Sequence, residues 1–126
     1  MIKKLFFPVS ALVVALSLVG LTFAQGEATT LTGHIIDKAC SQRVAKKENP
    51  QAAAAAESKG CALMESCAKS GFGVFADGKF YEFDQKGASL AKSALEKTSK
   101  DKGAKFKVVG KVSEGKVAVD SITEVE

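Results

Sequence analysis

Phe72-Gly73-Val74-Phe75-Ala76-Asp77-Gly78-Lys79-Phe80-Tyr81-Glu82-Phe83-Asp84 is the stretch that decides the fold. Two runs rich in aromatic residues flank Asp77-Gly78. An Asp-Gly pair suits the positive backbone angles of a two-residue hairpin loop. The stretch therefore predicts antiparallel strands over 72–76 and 79–84. Alternation places Phe80 on one face of the second strand, with Tyr81 and Phe83 on the other.

Toward the C-terminus, Leu90, Ala91, Ala94 and Leu95 fall at helical spacing, and Lys92, Glu96 and Lys97 fill the opposite side. This predicts an amphipathic helix from Gly87 to about Lys97. After a charged loop, Lys105 to Val112 alternates, with Phe106, Val108, Gly110 and Val112 inward and Lys105, Lys107 and Lys111 outward. Glu114-Gly115 makes a turn, and Lys116 to Val125 is the last strand. Val117 and Val119 point inward there. Ile122 is out of phase with them, which predicts a bulge near Asp120-Ser121.

Toward the N-terminus, residues 39–71 read as helical. Asn49 can accept from the free amides of a first turn, and Pro50 needs no amide partner there. A helix is expected over Gln51–Lys59, ending at Gly60. A second is expected from about Cys61 to Ser70, ending at Gly71. The alanine run 52–56 favours helix without specifying contacts. Thr30 to Asp37 is a strand, with Leu31, Gly33 and Ile35 on one face and Thr32, His34 and Ile36 on the other.

The order is strand, helical insert (about 40–71), hairpin, helix, hairpin. Five strands with a helix between the third and fourth is the order of the oligonucleotide/oligosaccharide-binding (OB) barrel. Gly33 and Gly110, each inside a strand, fit tight bends at barrel corners. The expected fold class is thus mostly β with α, a small α+β domain built on a five-stranded OB-like barrel. An open α+β sheet with the same elements is the alternative.

The chain begins as an export signal does. Lys3 and Lys4 precede an apolar block densest from Ala11 to Leu21, and Thr22-Phe23-Ala24 offers a small-residue exit. Residues 1–24 are read as a cleaved signal peptide and residues 25–126 as one domain. A permanent anchor is the alternative, weakened by Pro8, Ser10, Ser17 and Gly20. Cleavage leaves no permanent membrane span and places the domain in the periplasm or outside the cell. Losing Lys3 and Lys4 reduces the net charge from +4 to +2. That is too little for the electrostatic footprint of a nucleic-acid binder.

The stretch from Gly33 to Cys40 (GHIIDKAC), that from Cys61 to Gly71 (CALMESCAKSG), Asp77-Gly78-Lys79 and the closing Val-rich hairpin together resemble a family of small secreted bacterial proteins. These share a Gly-x-hydrophobic-x-Asp-x-x-Cys opening and a later cysteine pair. The likeness spans nearly all of residues 30–124. It implies a small exported barrel-like domain and no particular reaction. Members often carry a histidine a few residues after the first cysteine, where this chain has Arg43 and Val44.

The chemistry-bearing residues are few. Export favours a disulfide among Cys40, Cys61 and Cys67. On one continuous helix, Cys61 and Cys67 would be turned about 240° and stand some 9 Å apart along the axis. Cys40 is then one partner, paired with Cys67 or, alternatively, with Cys61. Either loop would stabilise the fold by roughly 3 kcal/mol. The third cysteine is a buried inert thiol, a bridge to a second copy in a dimer, or part of a metal or redox site. Three thiolates with His34 would suit zinc or copper, and Met64 could add a soft ligand. The two-to-four-residue spacing of tight metal knuckles is absent. His34, the sole histidine, is expected at the surface. Asp37 is expected to accept backbone amides at a helix start.

Phe75, Phe80, Tyr81 and Phe83 are the candidate ligand face. One aromatic set is core, and the other lies under the insert or is exposed for stacking. No phosphate loop, paired-carboxylate signature or zinc-protease motif is present. The expectation is a non-enzymatic exported domain of the cell envelope, disulfide-stabilised, without cofactor, serving an envelope ligand or protein partner. The alternative is a periplasmic thiol-based metal-binding or redox protein.

Overall fold

The computed structural model describes residues 27–126, so the expected signal peptide at 1–24 lies outside the described residues. Five strands are present: β1 (Thr29–Asp37), β2 (Phe72–Ala76), β3 (Lys79–Phe83), β4 (Lys105–Ser113) and β5 (Lys116–Val125). They form one mixed sheet that closes on itself as a ring in the order β1-β2-β3-β5-β4, with β4 returning to β1. All neighbours are antiparallel except β3 and β5, which close the ring in parallel through Glu82–Lys116 and Phe83–Val117. Helices α1 (Lys38–Val44), α2 (Pro50–Ala56), α3 (Lys59–Ala62) and α4 (Glu65–Lys69) lie between β1 and β2. The longer α5 (Gln85–Lys97) lies between β3 and β4. The protein is thus a small α+β domain with short helices. Among the described residues, no helix is long and apolar enough to cross a membrane.

Local chemistry explains the turns. Asp77 and Gly78 both adopt positive φ (51° and 77°), as do Glu114 and Gly115 (52° and 76°), which joins β2 to β3 and β4 to β5 by tight two-residue loops. Along β4 and β5 the pairing steps from Val109–Ser121 to Gly110–Val119, so Asp120 is the extra residue of a bulge. Beside it, a Cβ on Gly110 would stand 2.5 Å from the Ala118 carbonyl oxygen. Only glycine lets the two backbones approach so closely at this bend.

Alternation splits the core in two. Ile35, Val74, Phe83, Phe106, Val108, Val117 and Val119, drawn from all five strands, pack with Ala91 and Leu95 of α5 in the ring interior. The opposite faces of β1 and β2 supply Ile36 and Phe75, which pack on Val44 of α1 and Ala54 of α2. Gly33 to Asp37 is therefore buried on both faces, inside the ring and beneath the insert.

Candidate metal centre

The insert departs from the two long helices expected of it. Asn49 caps α2 through the Ala52 amide (3.2 Å), but the helix ends at Ala56. Gly60, expected as its stop, lies inside α3. The cause is Ser58, whose hydroxyl accepts the Cys61 amide at 3.1 Å and starts a new helix. The expected helix from Cys61 to Ser70 is also broken: Met64 is extended (ψ 139°) between α3 and α4. Cys61 and Cys67 therefore sit on separate helices, and the separation calculated for one continuous helix does not apply.

Each cysteine is fixed from its own side. Asp37, at the end of β1, accepts the Cys40 amide at 2.9 Å and caps α1. At the end of α4 the Ser70 hydroxyl donates to the Cys67 carbonyl (2.6 Å) and accepts the Ala39 amide (3.1 Å), coupling the Cys67 turn to the Cys40 turn. The Lys38 amide donates to the Gly71 carbonyl nearby, at 2.9 Å. Cys61 is set by its Ser58 cap, and the adjoining Lys59 amide donates to the Asp101 carbonyl at 2.8 Å.

The result is convergence. The Sγ atoms of Cys40, Cys61 and Cys67 all lie within 4.8 Å of one another. Cys40 is buried and the other two are half-buried. The expected disulfide, Cys40–Cys67 or its alternative Cys40–Cys61, is not formed: all three are free thiols with no pair of sulfurs at bonding distance. The three sulfurs surround a common point instead of meeting in a pair. Around one ion with metal–sulfur bonds of about 2.3 Å, three sulfurs stand roughly 3.8–4.0 Å apart. Closure from the observed spacing needs only a small inward movement.

Charge surrounds this point unevenly. Arg43 Nη2 lies 3.6 Å from Cys40 Sγ and also donates to Glu57 Oε1 at 2.6 Å. Burial, and then the hydrogen bond and negative charge of Asp37, push the Cys40 thiol far above its ordinary value, and Glu57 and Cys61 add in the same direction. Cys40 is thus a protonated thiol at neutral pH, and an ion must displace its proton.

The other sequence candidates lie elsewhere. His34 is buried, not at the surface, because the segment before β4 covers it. Its Nδ1 is 3.0 Å from the Ala104 carbonyl oxygen, which can only accept, so the proton is on Nδ1. It does not join the three sulfurs. Met64 is exposed. Of the candidate ligand face, Phe75 and Phe83 are buried core, and Phe80 packs partly buried against the cluster beneath the insert. Tyr81 packs against the interior cluster, with Lys79 Nζ 5.2 Å from its ring centre. These four do not form a free stacking surface. Sequence reasoning missed Glu57, and it met Arg43 only as a residue standing where the resembled proteins often carry a histidine. Arg43 reaches Cys40 from the same helix, three residues on, a spacing that local sequence carries, whereas Glu57, at the end of α2, meets Arg43 only through the packing of α2 on α1.

Comparison with family models, with curated proteins and with solved structures finds no match for this chain.

Proposed function

We propose that the protein is an exported, non-enzymatic domain of the cell envelope. In this reading it binds one thiophilic ion, such as zinc or copper(I), through Cys40, Cys61 and Cys67. The observation that carries this is the approach of three sulfurs, from three separate helices, to within 4.8 Å. Soft thiolate ligands favour ions of this kind over magnesium or calcium. Asp37 and Ser70 hold the ligands' backbones, and Arg43 sets a positive charge beside the cluster. Binding converts thiols to thiolates, so affinity rises with pH as the displaced protons become easier to lose.

The scaffold is read as OB-like. The strand order 1-2-3-5-4, the parallel closure of β3 on β5, and α5 between β3 and β4 support it. The N-terminal pattern of residues 1–24 supports export. In an oxidising compartment a bound ion would also shield the thiols from disulfide formation, and it leaves no cysteine over for a covalent dimer. The likeness to small secreted bacterial proteins with a Gly-x-hydrophobic-x-Asp-x-x-Cys opening agrees with this location.

The test is the intact mass of protein purified from its own host, measured native and denatured, before and after alkylation. A chain starting at Gln25, with one ion lost on denaturation and three thiols then alkylated, is expected. A full-length chain without an ion, or one with a single alkylatable thiol, overturns the proposal.

A further inference from the structure

The triad supplies three sulfurs and nothing else. Among the described residues no histidine or carboxylate joins the group, and residues 1–26 contain no Cys, His, Asp or Glu. A tetrahedral ion is left one ligand short. The surroundings also disfavour excess negative charge. Asp37 stands at the Cys40 amide, and Glu57 already engages Arg43, the cation beside Cys40 Sγ. Three thiolates around a monovalent ion carry a charge of −2, and around a divalent ion −1. Around a trivalent ion they are neutral.

We propose that, among thiophilic ions, the triad prefers a trivalent three-coordinate one of the arsenic and antimony class, taken up as its neutral hydroxide. This rests on the three-sulfur reading above and adds the identity of the ion. Such a centre takes three sulfurs at the base of a pyramid and points a lone pair in the fourth direction, so no fourth ligand is missing. The exchange balances without a redox partner: As(OH)3 + 3 RSH gives As(SR)3 + 3 H2O. Three S–H and three As–OH bonds break, three As–S bonds form, and each thiol proton leaves with a hydroxide as water. Arsenic remains trivalent, and no net charge enters a site flanked by Asp37 and Glu57.

The test titrates the reduced protein with arsenite, with zinc and with copper(I) separately, following free thiols and intact mass. One arsenic per chain is expected, with all three thiols lost and a mass gain of one arsenic less three hydrogens. Arsenite should remain bound in the presence of equimolar zinc. Each of C40S, C61S and C67S should bind arsenite about 100-fold more weakly, as loss of one anchor from a multidentate site implies. Arg43→Ala should weaken zinc binding about tenfold more than arsenite binding, since only the zinc complex carries a charge for Arg43 to offset. If zinc or copper(I) occupies all three sulfurs while arsenite blocks two or none, the trivalent preference is wrong and the metal site stands. If none of the three ions blocks the thiols, both proposals fall. The wild-type stoichiometry decides even if a serine variant does not fold.

Discussion

Raising the pH should destabilise the ion-free reduced protein through Cys40. Its thiol is held protonated in the folded state, first by burial and then by Asp37, whereas in the unfolded chain it ionises around 9.0. Above that value the unfolded state binds fewer protons than the folded state, so stability falls as pH rises. Below it the effect vanishes. With Cys40 un-ionised in the fold, the loss between pH 8 and pH 10 is RT ln(1 + 10^(pH − 9)) taken between those limits, or roughly 1 kcal/mol. For a domain near 100 residues this is a fall in Tm of roughly 5–10 °C. Lysines and other groups titrate in the same range, so the quantity to read is the difference between wild type and C40A. Urea unfolding of both, with reductant and chelator, at pH 8 and pH 10 provides it. C40A should lose roughly 1 kcal/mol less than wild type over this interval. Equal losses in the two proteins would refute the assignment of a protonated, acid-flanked Cys40.

Four further outcomes follow from the packing and the site. Asp37→Ala removes the α1 cap and should lower stability by about 1–2 kcal/mol in urea unfolding, while Asp37→Asn keeps most of it. Phe75→Ala opens a cavity between sheet and insert and should cost about 3–5 kcal/mol, seen as an early, insert-wide rise in amide hydrogen exchange. In the ion-free protein a bulky maleimide should label half-buried Cys61 and Cys67 before buried Cys40, as peptide mapping of a time course would show. Supplying zinc at about 100 times its Kd should stabilise the fold by roughly 2.7 kcal/mol, and chelator should abolish this shift in Tm.

The sheet was largely legible because its signals are local. Asp77-Gly78 and Glu114-Gly115 place the turns, alternation from Phe106 to Val112 fixes the inward face, and the phase slip after Val119 locates the bulge at Asp120. The insert was not. Nothing in Leu63-Met64-Glu65 is a helix breaker, yet the chain extends at Met64, which is itself exposed, while Leu63 and Ala68 on either side pack against the interior cluster, a tertiary demand that a weak local preference does not reveal. That one bend turns two cysteines that a continuous helix would hold apart into neighbours. Ser58, three residues before Cys61, was the available clue to the earlier break, since a serine cap reads from sequence. His34 went astray for the opposite reason. Its strand face is correct, but that face is covered by a loop some seventy residues later, which periodicity cannot reveal.

Extended X-ray absorption fine structure at the zinc edge of the loaded, reduced protein counts the sulfurs around the ion. Three sulfur neighbours at about 2.3 Å, falling to two in each single Cys→Ser variant, are expected from Cys40, Cys61 and Cys67 acting together. A shell of nitrogen and oxygen, or a sulfur count that one of these substitutions leaves unchanged, would mean that the three thiols do not share an ion.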